Sequence, residues 1–199
     1  MDKWMPDEAA FEQIRHHLRP KQTVMICVPD RTMQQRIVAF AESCGAICLT
    51  GGTDLRWKTL IRLAFSQRVQ TIIGDPRLIL GFAKLSRASG IPLKIRHAVL
   101  VGPPCSDALQ TVMKHSLDCR ITSIACPVDH QDRTLAELEE LLLAWTSVLD
   151  CKLHRGACGL EISVITFAGE QLPKLPSCAK LLLRPWEAEE DIPFCLFTF

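Results

Sequence analysis

The sequence predicts an α/β fold, a Rossmann-like parallel sheet with flanking helices and a small β unit at the C-terminus. Three observations carry this. Short apolar, β-branched runs recur at 22–28, 46–50, 69–74, 97–102 and 119–125. Amphipathic stretches of helical length separate them. Connections of that length suit parallel crossovers, and strands without polar alternation suit a sheet covered on both faces. After residue 126 the pattern changes, which divides the chain into a core over 1–130 and an appended helix and β subdomain over 131–199.

The elements follow in order. The stretch MDKWMPDEAAFEQIRHHL is polar and charged, unlike a signal peptide, and its His16-His17 reads as solvated. QTVMICV is the first buried strand. In 31–43, Met33, Ile37, Val38 and Ala41 repeat at helical spacing, and Gly45 follows as a C-terminal stop. AICLT ends at Gly51-Gly52. Asp54 is the expected N-cap of a helix running to about Gln67. VQTIIG precedes Pro76, which opens a helix at the one place where its missing N–H costs little. Gly90 stops that helix. HAVLVG and CRITSIA are the fourth and fifth strands, with a helix near 105–116 between them. Residues 132–148 read as one helix with Leu135, Leu138, Leu141, Leu142 and Trp145 on its apolar side. LEISVITF, AKLLLR and PFCLFTF then read as strands of the terminal β unit.

Composition narrows the function classes. The 199 residues carry 23 basic and 22 acidic side chains, a formal charge of +1, and nothing in that balance suggests a nucleic-acid tail or a polybasic membrane arm. No apolar run reaches the roughly 18 residues of a membrane span. A cytoplasmic location is expected. The ten cysteines sit mostly in apolar runs and read as thiols packed as small hydrophobes.

The order of these elements resembles the middle of an adenylate-forming enzyme, in the branch of phenylacetate–CoA ligase and coenzyme F390 synthetase. Leu18-Arg19-Pro20-Lys21-Gln22-Thr23-Val24, Gly51-Gly52-Thr53-Asp54, Thr71-Ile72-Ile73-Gly74-Asp75-Pro76, Ala98 to Gly102 and Leu160 to Phe199 carry the likeness. It implies an AMP-forming acyl-CoA ligase that uses ATP and Mg.

The family's site motifs fail in turn. Its Ser/Thr/Gly-rich phosphate loop would precede residue 1. Where it has Gly-Ala/Gly-Glu-Pro, this chain has Gly102-Pro103-Pro104-Cys105, and the prolines offer no N–H. Its Tyr-Gly-x-Ser/Thr-Glu loop falls on Ala125-Cys126-Pro127-Val128-Asp129, which keeps only the acid. One carboxylate is a poor Mg site. At its Arg-Tyr-Arg-Thr-Gly-Asp stretch the Arg positions are Leu196 and Thr198, and the Gly-Asp is missing. Of the nucleotide site, the resemblance leaves Gly102, Pro103, Ser123 and Asp129. Together with Gly51, Gly52 and Asp75 they should meet at the C-terminal ends of the parallel strands, where such sheets bind ligands.

Two other sets need weighing. Cys126, Cys151, His154 and Cys158 supply four N/S ligands for a structural Zn, though C-x2-H-x3-C is not a standard spacing. The bland reading is core thiols beside a surface His. Cys105, at a helix N-terminus, is placed where thiolates can be stabilised, but no partner base lies near it.

Three functions follow. One is a ligase piece completed by a partner chain. Another is a non-catalytic module partnering a ligase. The last is a Zn-stabilised small protein. Exposed strand edges make a homo-oligomer an expectation too.

Overall fold

The computed structural model describes residues 6–50, 56–126, 133–156, 159–167 and 180–186. Helix α1 (Glu8–Arg15) leads into β1 (Thr23–Cys27), α2 (Arg31–Ser43), β2 (Ile47–Thr50), α3 (Trp57–Ser66), β3 (Thr71–Gly74), α4 (Pro76–Ser89), β4 (His97–Gly102), α5 (Asp107–Leu117) and β5 (Arg120–Ala125). The five strands form one parallel sheet in the order β2-β1-β3-β4-β5. The winding reverses between β1 and β3, as in doubly wound folds.

Alternation along the strands divides the core. Val24, Ile26, Ile73, Val99 and Val101 pack with Ile14 of α1 and with Met33, Ile37 and Ala41 of α2. Met25, Cys27, Ile72, Ala98 and Leu100 face the other way, onto Leu60 of α3, Phe82 of α4 and Met113 of α5. All of these side chains are almost fully buried.

Local chemistry sets most of the boundaries. Asp30 caps α2, accepting from the Met33 N–H at 2.8 Å. Asp75 caps α4 just before Pro76, and Gly90 ends α4 in the left-handed region at φ +67°. Ser106 caps α5. The expected Asp54 cap lies outside the described residues. The residue preceding α3 is Arg56, and it makes no side-chain capping bond.

Beyond β5 the structure corrects the sequence reading. Helix α6 (Arg133–Leu143) stops five residues short of the expected end. Leu142 and Leu143 are buried, while Leu141 is 63% and Trp145 50% exposed. The chain then turns and enters β6 (Val148–Gly156), a strand that the sequence reading missed. Strand β6 pairs antiparallel with β7 (Gly159–Phe167), and β7 pairs parallel with β8 (Lys180–Trp186), giving a small mixed sheet. The expected boundary at 130/131 and the expected strand at 193–199 lie outside the described residues.

A buried lysine explains where α6 stops. Lys84 of α4 is 4% exposed. Its Nζ donates to the carbonyls of Leu143 (2.6 Å), Trp145 (3.0 Å) and Val148 (2.5 Å). Leu143 closes the helix, where carbonyls lack intrahelical partners and a cation is favourable, and Trp145, whose carbonyl also accepts from the Val148 N–H at 3.1 Å, lies in the turn that follows. Burial lowers the Lys84 pKa to about 8, with Cys151 and then the carboxyl of Asp150 pulling the other way.

Among the described residues no helix is long and apolar enough to cross a membrane.

Candidate functional site

A cavity of about 620 Å³ opens at the C-terminal ends of β3 and β4, beneath α6. One strand over, between β1 and β3, the backbones lie against each other. A Cβ on Gly74 would sit 1.8 Å from the Cys27 carbonyl oxygen, so only glycine fits. The next residue, Asp75, donates its N–H to that same oxygen at 2.9 Å.

Each wall of the cavity comes from a different element. Asp75, Pro76 and Arg77 come from the start of α4. Pro103, Pro104, Cys105 and Ser106 form the turn into α5. From α6 come Glu139, Glu140 and Leu143. The surface is mostly apolar, and its polar groups are mostly carboxylates.

Those carboxylates occupy several of the donors that an anion would use. Helix N-termini bind phosphate through free N–H groups. At α4, Asp75 Oδ1 accepts from the N–H of Arg77 (2.8 Å) and Leu78 (3.4 Å). At α5, the Ser106 N–H donates to Glu140 Oε2 (3.2 Å), and Ser106 Oγ accepts from the Leu109 N–H (3.5 Å). Pro103 and Pro104 have no N–H.

Arg77 is also committed. Its guanidinium pairs with Glu139 (3.0 Å) and Asp150 (3.4 Å) and donates to the Cys151 carbonyl. A second oxygen of Glu139 accepts from the Leu153 N–H at 2.8 Å. Arg77 thereby ties α4 to α6 and β6. Burial raises the Asp150 pKa to about 6 despite Arg77 beside it. Burial likewise raises that of Asp75, opposed by the N–H groups it caps and by Arg77.

Cys105 is no thiolate. Burial, then the carboxylates of Glu140, Asp75 and Asp107, push its pKa up to about 12. These outweigh whatever the helix N-terminus contributes.

The sequence-derived nucleotide set divides. Asp75 and Pro103 line the cavity. Gly102 is buried at the end of β4, where its carbonyl accepts from the Cys126 N–H at 2.8 Å. Ser123 is exposed on the edge strand β5, opposite Leu100, and is not among the lining residues. Gly51, Gly52 and Asp129 lie outside the described residues. Sequence reasoning missed Arg77, Glu139 and Glu140. Arg77 and Glu139 are 62 residues apart, and only the packing of α6 on α4 joins them.

The proposed Zn ligands do not converge. Cys126 packs in the cluster against α1 and α2, and Cys151 in the cluster on the opposite face of the sheet. His154 is exposed and pairs with Glu161 at 2.8 Å. Cys158 lies outside the described residues. Among the described residues no three His, Cys, Asp or Glu side chains form a group able to hold a metal ion. The described cysteines are all unbridged.

No protein-family model matches the chain, and no curated protein matches it. Solved structures do. A 2-hydroxyisobutyryl-CoA ligase in an open conformation with 2-HIB-AMP and CoA superposes on 57% of this chain, with TM-score 0.50 and 12% identity. The same ligase in a postadenylation state with R3-HIB-AMP superposes on 58%, with TM-score 0.51 and 14% identity. In its thioesterification state it superposes on 57%, with TM-score 0.50 and 12% identity. This chain covers only 26% to 30% of the ligase chains' length. The likeness is one of fold: over more than half its length, this chain has the architecture of part of an acyl-CoA ligase.

Proposed function

We propose that this chain is a relative of the AMP-forming acyl-CoA ligases whose ligand-binding end no longer holds a nucleotide, and that it serves as a non-catalytic binding module. Descent from the phenylacetate–CoA ligase and coenzyme F390 synthetase branch is part of this reading. The motif-level resemblance supports it, and the fold shared with a CoA ligase is consistent with it.

One observation carries the non-catalytic part. At the starts of α4 and α5, the N–H groups of Arg77, Leu78, Ser106 and Leu109 are held by the chain's own Asp75, Glu140 and Ser106. ATP phosphates would have to displace carboxylates and then sit beside them. Preorganised donors facing developing charge supply most of the stabilisation in such chemistry, and here the charge facing the cavity has the wrong sign. Glu139 and Asp75 do not suit Mg either, since Arg77 and helix N–H groups already hold them.

The cavity suits an apolar group instead. Pro76, Pro103, Pro104, Leu109 and Leu143 would cover it, with Glu140 at hand for a positive charge. A hydrophobic segment with a neighbouring Lys or Arg, supplied by a partner protein, has that chemistry.

The test is ATP–pyrophosphate exchange with a panel of carboxylic acids. No exchange above background is expected. Exchange that depends on an added acid would overturn the reading and return the chain to the ligases.

A further inference from the structure

The opposite end of the sheet carries a second concavity of about 970 Å³, lined at the N-terminal ends of β1, β3, β4 and β5 and along α5. Its charge is lopsided. Four of its lining side chains, Arg19, Arg96, Lys114 and Arg120, are cations, three more are histidines, and one, Asp107, is a carboxylate. The chain as a whole is nearly neutral at +1, so this is a local concentration of charge.

Arg19, Arg96, Lys114 and Arg120 are exposed and make no ion pair among the described residues. Four like charges around one concavity repel one another, and an anion relieves that cost. Between them lie hydrogen-bonding groups without charge. Thr122 Oγ1 meets His97 Nε2 at 2.8 Å, and Gln22 Nε2 donates to Thr71 Oγ1.

We propose that this cleft binds a small molecule bearing two or more phosphate charges. A nucleic acid fits less well. A backbone reader draws on cations spread along a stripe, whereas these four are gathered around one concavity. The volume is that of a small-ligand site.

The cleft also holds a pH-sensitive pair. The rings of His17 and His97 meet edge to face, with centroids 4.4 Å apart. Burial and the neighbouring charge of His16 hold the His17 pKa below its usual value. Burial, His17 and Arg120 do the same for His97. Both rings are neutral at neutral pH and gain charge on acidification. A bound anion favours the charged forms, so binding tightens as pH falls. Arg19, Arg96 and Lys114 oppose that protonation in the empty cleft, and Asp107 favours it.

The test is calorimetric titration of the full chain with inorganic triphosphate at about pH 7.5 and about pH 6, at constant ionic strength. Saturable binding is expected, and because triphosphate itself takes up a proton in this range, the histidine contribution is read as an affinity ratio between the two pH values about fivefold or more greater for the native chain than for His97→Gln. The Arg96→Gln/Arg120→Gln variant should bind about tenfold or more weaker while melting at the same temperature, because both side chains are exposed. His97→Gln, with His17→Gln as a second variant, should flatten the pH dependence. Absence of saturable heat, or binding that ignores the arginine variant, would overturn the proposal. So would an oligonucleotide that binds more tightly than triphosphate and tightens further with length. None of these outcomes bears on the non-catalytic reading, which concerns the other end of the sheet.

Discussion

The two ends of the parallel sheet are opposites. At the C-terminal end, carboxylates and prolines line the cavity, and the helix N-termini there are capped from within. At the N-terminal end, arginines and histidines line an open cleft. The backbone of a doubly wound sheet favours anions at the first end, where helix N-termini point. In this chain the side chains reverse that preference. A fold offers a place for a ligand, and the residues at that place decide whether it is used.

The comparison can be broken most severely at Gly74, which brings β3 against β1 beside the C-terminal cavity. Gly74→Ala puts a Cβ within 1.8 Å of the Cys27 carbonyl, in a sheet with no room to shift. A loss of about 4 kcal/mol or more is expected, read by denaturant unfolding.

Lys84→Met comes next. It strands the carbonyls of Leu143 and Val148 and removes one of the ties between α4 and the end of α6. It should cost about 2–4 kcal/mol. Its pH dependence has a definite sign. Burial lowers the folded pKa to about 8 from 10.5, so the unfolded chain binds the extra proton between those values. This group therefore adds stability as pH rises from 8 towards 10.5, and the variant should lack that rise.

Asp150 behaves the other way. Its folded pKa, about 6, lies above its ordinary 3.8 because of burial. The folded state holds the proton more tightly in that window, so this contribution is greatest at low pH and is lost as pH climbs through 6. Asp150→Asn should remove a slope on the order of 2 kcal/mol between pH 4 and pH 6.5, seen in melting temperature against pH.

The smallest effect sharpens the comparison. Replacing Arg96 and Arg120 with Gln should change stability by less than about 0.5 kcal/mol, since exposed charges contribute little to folding. A large loss would make the basic cleft part of the scaffold, in place of a site.

How much of this was legible in the sequence follows from the range of the interactions. Strands β1 to β5 and their helices announce themselves through apolar runs and through Gly45, Pro76 and Gly90. Strand β6 did not. Leu149, Cys151 and Leu153 alternate as a buried face, but Asp150, Lys152 and His154 interrupt the run. Its first residues extend the helical spacing of α6. What ends α6 is Lys84, 59 residues away from Leu143, and no local signal reports that. Asp75 and Pro103 were found because sheet topology places strand ends together. Arg77, Glu139 and Glu140 were not, because the docking of α6 brings them there. The basic cleft gathers Arg19, Arg96 and Arg120 from the starts of separate strands. In a chain whose charges balance overall, composition hides it.

The most direct measurement is calorimetric titration of ATP–Mg and of AMP into the Arg96→Gln/Arg120→Gln variant, in which the basic cleft is weakened and the C-terminal cavity is intact. No micromolar binding of either nucleotide is expected. Micromolar binding of AMP to that variant, abolished by a substitution at Pro103, would show that the strand ends still hold a nucleotide and would contradict the account.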